Sequence, residues 1–153
     1  MNLWSDWLKL DLPGIEGRAD YQWPGVYKIR IVDEHNAPVV IGRFLATDKG
    51  GLLAIGESKN VAHRLKQFYR AFNGKEFKHS VANRFFIVRY ALITAKSTFN
   101  IDFLEFTAFR LANKAAAQAE EERLLKKYFK TYGELPPLNG AMPEKNNISW
   151  ETL

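Results

Sequence analysis

Pro24-Gly25-Val26-Tyr27-Lys28-Ile29-Arg30-Ile31-Val32 is the stretch that decides the fold class. Val26, Lys28, Arg30 and Val32 fall on one face of an extended chain, and Tyr27, Ile29 and Ile31 on the other. That two-residue period is a strand, and Asp33-Glu34-His35-Asn36 breaks it with a turn. Downstream, 39–45 reads as a second strand, Asp48-Lys49-Gly50-Gly51 as a tight turn needing positive φ, and 52–56 as a third strand, together an antiparallel meander. Ser58 is placed to cap a helix over 59–72, where Val61, Leu65, Phe68 and Phe72 form a buried stripe that Asn73-Gly74 ends. Residues 84–93, rich in aromatic and branched side chains, predict another strand. Residues 101–112 predict a helix, and 115–132 a second one that stops at Gly133 ahead of Pro136-Pro137. Upstream, Leu3-Trp4-Ser5-Asp6-Trp7-Leu8 is a short amphipathic arm with tryptophans suited to docking on the core, followed by a Pro13-Gly14 turn. The expected fold is α/β of the α+β kind, a small, mostly antiparallel sheet of three to four strands flanked by helices. It is expected to form one domain over 1–153, with a core over 24–139, an N-terminal arm over 1–23 and a C-terminal tail over 140–153.

The totals bound the function. A chain of 153 residues can bury a hydrophobic core without covalent staples. Having no cysteine, it cannot use disulfides, thiolate zinc sites or cysteine nucleophiles, and nothing points to an oxidising compartment. No apolar run is long enough to cross a bilayer and no basic cluster opens the chain, so the expectation is a cytoplasmic protein with no membrane partner. The net charge is +5, unevenly spread. Between Lys59 and Arg89 eight basic residues (Lys59, Arg64, Lys66, Arg70, Lys75, Lys78, Arg84, Arg89) face one acid, Glu76, so this segment carries +7 and the remainder −2. Localised positive charge is what contact with a phosphate backbone requires, because neutralised phosphates release condensed counterions. A solvated basic face is the competing reading. Lys59, His63, Lys66, Arg70, Lys75, Lys78 and Arg84 are the candidate nucleic-acid contacts, with DNA the expected polymer.

One residue breaks its local pattern. On the 115–132 helix, Ala117, Leu124, Leu125, Tyr128, Phe129 and Tyr132 project into one apolar arc, and Glu121 lies in the middle of it. A carboxylate there is costly unless paired, protonated or bound to metal. The competing reading is a frayed stripe, with Glu121 looking out past small alanines. Arg64 sits at the margin of the 59–72 stripe beside Val61 and Phe68, where a planar guanidinium with five donors can meet a phosphate oxygen or simply reach the surface.

Pro24-Gly25-Val26-Tyr27, Ala54-Ile55-Gly56-Glu57-Ser58-Lys59-Asn60-Val61 and Arg64-Leu65 together resemble the GIY-YIG nuclease superfamily, and Glu121-Glu122-Arg123-Leu124-Leu125-Lys126 and Pro137-Leu138-Asn139 continue that layout. The resemblance covers about 24–139. It implies an endonuclease that hydrolyses nucleic-acid phosphodiester bonds with a divalent metal, Mg²⁺ or alternatively Mn²⁺. It further implies that Tyr27 positions or deprotonates the attacking water, Arg64 stabilises charge on the phosphate, Glu121 holds the metal and Asn139 supports the site. A tyrosine needs a neighbouring cation to serve as a base, which the metal or the basic segment would supply. Two features depart from the family pattern: Ala54 stands in place of the second signature tyrosine, and a hairpin is added at 39–51. Glu57, moreover, follows the glycine where certain repair-type relatives carry a lysine.

Other chemistries fail on spacing. His35, His63 and His79 have no metal-ligand spacing, no serine occupies a nucleophile elbow, and Gly50-Gly51 and Gly56 do not make a nucleotide phosphate loop. Two alternatives to the endonuclease stay open: a nucleic-acid-binding module on the same fold whose catalysis is impaired with Ala54, and a protein-interaction domain.

Overall fold

In the computed structural model, which describes residues 3–17, 21–72, 84 and 100–142, the elements are β1 (Leu8–Lys9), α1 (Leu12–Glu16), β2 (Gly25–Ile31), β3 (Ile41–Gly42), β4 (Thr47–Asp48), β5 (Leu52–Ser58), α2 (Val61–Phe72), β6 (Leu104–Arg110) and α3 (Lys114–Tyr132). The fold is α+β. One antiparallel sheet has the order β1-β6-β2-β5, and β3 and β4 pair as a separate two-stranded sheet. No helix among the described residues is long and apolar enough to cross a membrane.

The alternation read along 26–32 sorts the core into two layers. Tyr27, Ile29 and Ile31 enter the larger cluster with Leu53, Ala54, Phe106, Ala108 and the α2 stripe Val61, Leu65, Phe68 and Phe72. Val26 faces the other way, into a smaller cluster with Ile55, Leu124 and Leu125 beneath α3. Complete burial of a side chain such as Phe68 or Phe106 contributes about 2–3 kcal/mol relative to exposure. Polar positions of the second face are covered by the N-terminal arm: Lys28 lies over the Trp4 ring, and Arg30 stacks on Trp7 while pairing with Glu105 at 2.7 Å. The tryptophans of the arm therefore dock as expected, and Leu10, Ile15 and Tyr21 carry the core upstream of residue 24.

Four local expectations change. Residues 101–112 are not a helix but a 3-10 turn at Ile101–Phe103 followed by β6. β6 is central, with β1 on one side and β2 on the other, so both its faces are covered and its alternation is masked by apolar residues on each. The 39–45 strand shrinks to Ile41–Gly42, which pairs with Thr47–Asp48 rather than joining the main sheet, so β2 and β5 pair directly and no meander forms. Phe44 at the bend of this hairpin is 81% exposed. Pro13 and Gly14 open α1 instead of making a free turn, with Asp11 accepting a hydrogen bond from the Gly14 N–H. Asn60, not Ser58, caps α2: its side chain accepts from the His63 N–H, while Ser58 bonds the Asn60 backbone and shapes the approach. The strand expected over 84–93 lies outside the described residues except for Arg84, which is helical.

α3 begins at Asn113, whose side chain accepts from the Ala116 N–H, and ends at Gly133 with φ of 75°, where glycine avoids left-handed strain. The Asp48 turn is tied to it. The buried Asp48 carboxylate accepts hydrogen bonds from the Gly50 and Leu52 N–H groups and from the Tyr128 hydroxyl at 2.9 Å, and Gly51 takes the positive φ expected there. Asp48→Ala should therefore cost about 2–4 kcal/mol in urea unfolding, since it orphans three donors at once. A loss below about 0.5 kcal/mol would show the network to be dispensable.

Candidate active site

The edge of β5 opens into a cleft of about 330 Å³. Tyr27, Arg64, Glu121 and Asn139, the four residues singled out as catalytic candidates, all line it, as do Glu57 and Arg84. They arrive from separate elements. Tyr27 comes from the middle of β2, Arg64 from the first turn of α2, Glu121 from the middle of α3 and Asn139 from the segment after α3.

Tyr27 is 2% exposed and stands directly opposite Gly56 in the β2–β5 pairing. A Cβ at position 56 would overlap the Cζ and hydroxyl of Tyr27, so the ring can cross β5 only because residue 56 has no side chain. The Arg64 side chain donates a hydrogen bond to the phenol oxygen and also reaches Gln67 Oε1 at 3.4 Å. Burial raises the Tyr27 pKa, opposed by the Arg64 charge and hydrogen bond, while Glu121 and Glu57 add to the rise. The lowering anticipated for a tyrosine base is thus reversed among the protein's own groups, because desolvation outweighs the guanidinium.

Glu121 fulfils the helical projection. Ala117, Leu124, Leu125 and Tyr128 are buried on the same stripe, and Glu121 sits half-buried at the cleft rather than fraying into solvent. Its neighbours are satisfied along the helix, Glu120 by Arg123 at 2.7 Å and Glu122 by Lys126 at 2.8 Å. Burial pushes the Glu121 carboxyl up to about 7, helped by repulsion from Glu57 and opposed by Arg64 and by a hydrogen bond from the Glu57 backbone.

Asn139 acts on the backbone. Its Oδ1 accepts from the Ile55 N–H at 3.0 Å and its amide donates to the Ile55 carbonyl at 2.8 Å, so it pairs with the free edge of β5 as another strand would. Leu138 N–H donates to the Leu53 carbonyl beside it. Arg84 Nη1 donates to the Leu138 carbonyl at 2.9 Å, and a Cβ at Gly140 would overlap its guanidinium. Of the remaining basic candidates, the described ones are not among the residues lining the cleft. Lys59, His63 and Arg70 are exposed on or just before α2, Lys66 pairs with Glu16 at 3.1 Å, and Lys75 and Lys78 lie outside the described residues.

Ala54 is fully buried opposite Ile29, away from the cleft lining. Glu57 is the residue whose place sequence reasoning missed. Its signal was alternation along β5, which puts it on the Ile55 face under α3, and its Oε2 is buried without a hydrogen-bond partner. Among the described residues no group of three or more His, Cys, Asp or Glu side chains is gathered as a metal site. Comparison with protein-family models, with curated proteins and with solved structures finds no match for this chain.

Two outcomes follow from this geometry. Gly56→Ala should destabilise the protein by about 1–3 kcal/mol, and the penalty should shrink in a Tyr27→Ala background, where no ring opposes the added methyl; additive losses in the double variant would mean that the ring is not what Gly56 accommodates. The second concerns pH. The folded Glu121 carboxyl titrates above its ordinary value of 4.5, so the unfolded chain gives up that proton first. The contribution favours folding below about pH 4.5 and is lost as pH rises through about 7. In metal-free buffer Glu121→Gln should therefore melt a few degrees above the wild type at pH 8, the difference closing towards pH 4.5; equal melting temperatures at both pH values would remove the burial cost assigned to Glu121.

Proposed function

We propose that this chain is a metal-dependent endonuclease that hydrolyses nucleic-acid phosphodiester bonds at the β5-edge cleft. The observation that carries the reading is the meeting of Tyr27, Arg64, Glu121 and Asn139 in one cleft, from four segments that the resemblance to GIY-YIG nucleases had singled out. The donor chemistry fits a hard divalent cation such as Mg²⁺ or Mn²⁺: the Glu121 carboxylate lines the cleft, and the buried Glu57 Oε2 beside it lacks a hydrogen-bond partner. When bound, such a cation supplies Lewis-acid polarisation of a phosphoryl oxygen and a more acidic water.

The chain's own groups do the rest. Arg64 presents a permanent charge to the oxygens on which negative charge accumulates in the transition state, and Arg84 adds a second guanidinium on the same cleft. Tyr27 is placed to orient the attacking water by hydrogen bonding; among the protein's own groups burial raises its pKa, and a cation bound in the cleft would act in the opposite direction. Asn139 holds the C-terminal wall of the cleft against β5. Lys59, His63 and Arg70, exposed on or just before α2, offer positive or ionisable groups for phosphates of a DNA strand that extends beyond the cleft.

A second reading, a binding module with impaired catalysis, is favoured by two observations: the phenol is driven away from the ionised form, and Ala54 contributes no second hydroxyl. The readings separate in one experiment. Supercoiled plasmid and a labelled branched or single-stranded substrate are incubated with the protein in Mg²⁺, Mn²⁺ or EDTA. Cleavage that needs metal and falls about 100-fold or more in Glu121→Ala and in Arg64→Ala is the expected result. Salt-sensitive binding without cleavage in any metal would establish the binding module instead.

A further inference from the structure

Two carboxylates share the α3 side of the cleft, and among the described residues neither is held in an ion pair. Ion pairs with Lys or Arg among the described residues take up Glu16, Glu105, Glu120, Glu122 and Glu134, but neither Glu57 nor Glu121. The two are held together by construction. Glu57 lies opposite Val26 in the β2–β5 register, which turns its side chain towards α3, and its backbone N–H donates a hydrogen bond to the Glu121 carboxylate. One Glu57 oxygen, Oε2, is shut off from solvent and has no hydrogen-bond partner. A buried acceptor left empty is costly, more so when charged, and two like charges at close quarters add repulsion. The Arg64 charge offsets this only in part: its side chain hydrogen-bonds the Tyr27 hydroxyl and Gln67, and the Glu121 carboxyl stays raised despite it.

We propose that Glu57 and Glu121 form a single divalent-cation site, with Glu57 Oε2 supplying the second protein ligand. The inference rests on the metal-dependent reading of the cleft and adds a ligand to it. A hard cation takes oxygen donors and tolerates an incomplete protein shell, keeping waters or accepting phosphate oxygens at its other positions. Two carboxylates plus a substrate phosphate are enough to place such an ion, and the same ion removes both the empty acceptor and the repulsion. Glu57 is then a metal ligand, and the short step from Gly56 to Glu57 serves two purposes: position 56 leaves room for the Tyr27 ring on one face, and position 57 delivers a carboxylate to the other.

The test uses the full chain and Mn²⁺ alone, without nucleic acid, with free Mn²⁺ followed by electron paramagnetic resonance. The wild type should bind one Mn²⁺. Glu57→Gln and Glu121→Gln should each weaken it by about tenfold or more. The double variant should lose less than the two single losses combined, because both remove ligands of one ion. Should Glu57→Gln fold poorly, glutamate-labelled wild type is read by carbon NMR, where substoichiometric Mn²⁺ should broaden the side-chain carboxyl signals of both Glu57 and Glu121. Unchanged affinity in a folded Glu57→Gln protein, or broadening at Glu121 alone, overturns the proposal, and metal-dependent cleavage surviving beside that result leaves the nuclease reading intact. Mn²⁺ bound through both residues in a protein that cuts no nucleic acid supports the site while sinking the nuclease.

Discussion

The Tyr27 ring crossing β5 at Gly56 is the contact on which the rest of the cleft depends. β2 is a central strand, and the pairing of Tyr27 with Gly56 fixes its register against β5 at the point where the cleft opens. Shifting that register by one residue would send Tyr27 and Ile29 to the α3 face and Val26 and Lys28 into the larger core, exchanging the contents of both layers. The glycine therefore does more than permit a close approach. It lets one aromatic side chain span from the larger core to the cleft, where Arg64 on α2 can reach its hydroxyl.

From this pairing the two faces of the sheet acquire different chemistry. The face towards α1 and α2 is almost wholly apolar and supplies most of the burial. The face towards α3 is mixed: Lys28 and Arg30 are covered by the tryptophans of the arm, Glu105 is paired, and Glu57 and Glu121 are set together near the edge. That edge would ordinarily be an open template for another strand, and the Asn139 amide pairing with Ile55 closes part of it. The C-terminal segment is thus simultaneously an edge cover and a wall of the cleft. Burial is responsible for the electrostatic tension inside, since it raises both the Tyr27 phenol and the Glu121 carboxyl, and a fold that retains such costs concentrates them where charged ligands can offset them.

Much of the architecture was legible in the chain because it rests on local periodicity. The 26–32 alternation, the α2 stripe, α3 with its Gly133 stop and the misplaced Glu121 are all properties of one segment read against one repeat. What was misread involved partners in space. Residues 101–112 carry apolar groups on both sides, which a helix pattern fits as well as a strand does, and only the flanking β1 and β2 decide for a strand. The 39–45 run has strand-like residues, yet Val40, Phe44 and Leu45 are exposed, and its ladder pairing among the described residues is with its own return at Thr47–Asp48, with single backbone bonds from Val39 to Ile31 and from Leu45 to Tyr132. Asn60 displaced Ser58 as the cap of α2 because both residues have capping side chains and helix phase alone chooses between them.

By itself, then, the sequence determined the strand and helix faces, the concentration of positive charge after residue 58, the absence of thiol chemistry and the identity of the acid that does not fit its helix. Tertiary structure alone decided that Tyr27, Arg64, Glu121 and Asn139 share a cleft with Arg84, that Glu57 stands against Glu121, and that Asn139 works through the backbone of Ile55. The reason is physical: side-chain periodicity is set within a few residues of chain, whereas proximity between residues 57 and 121, desolvation of a phenol and the satisfaction of a sheet edge exist only once distant segments have packed.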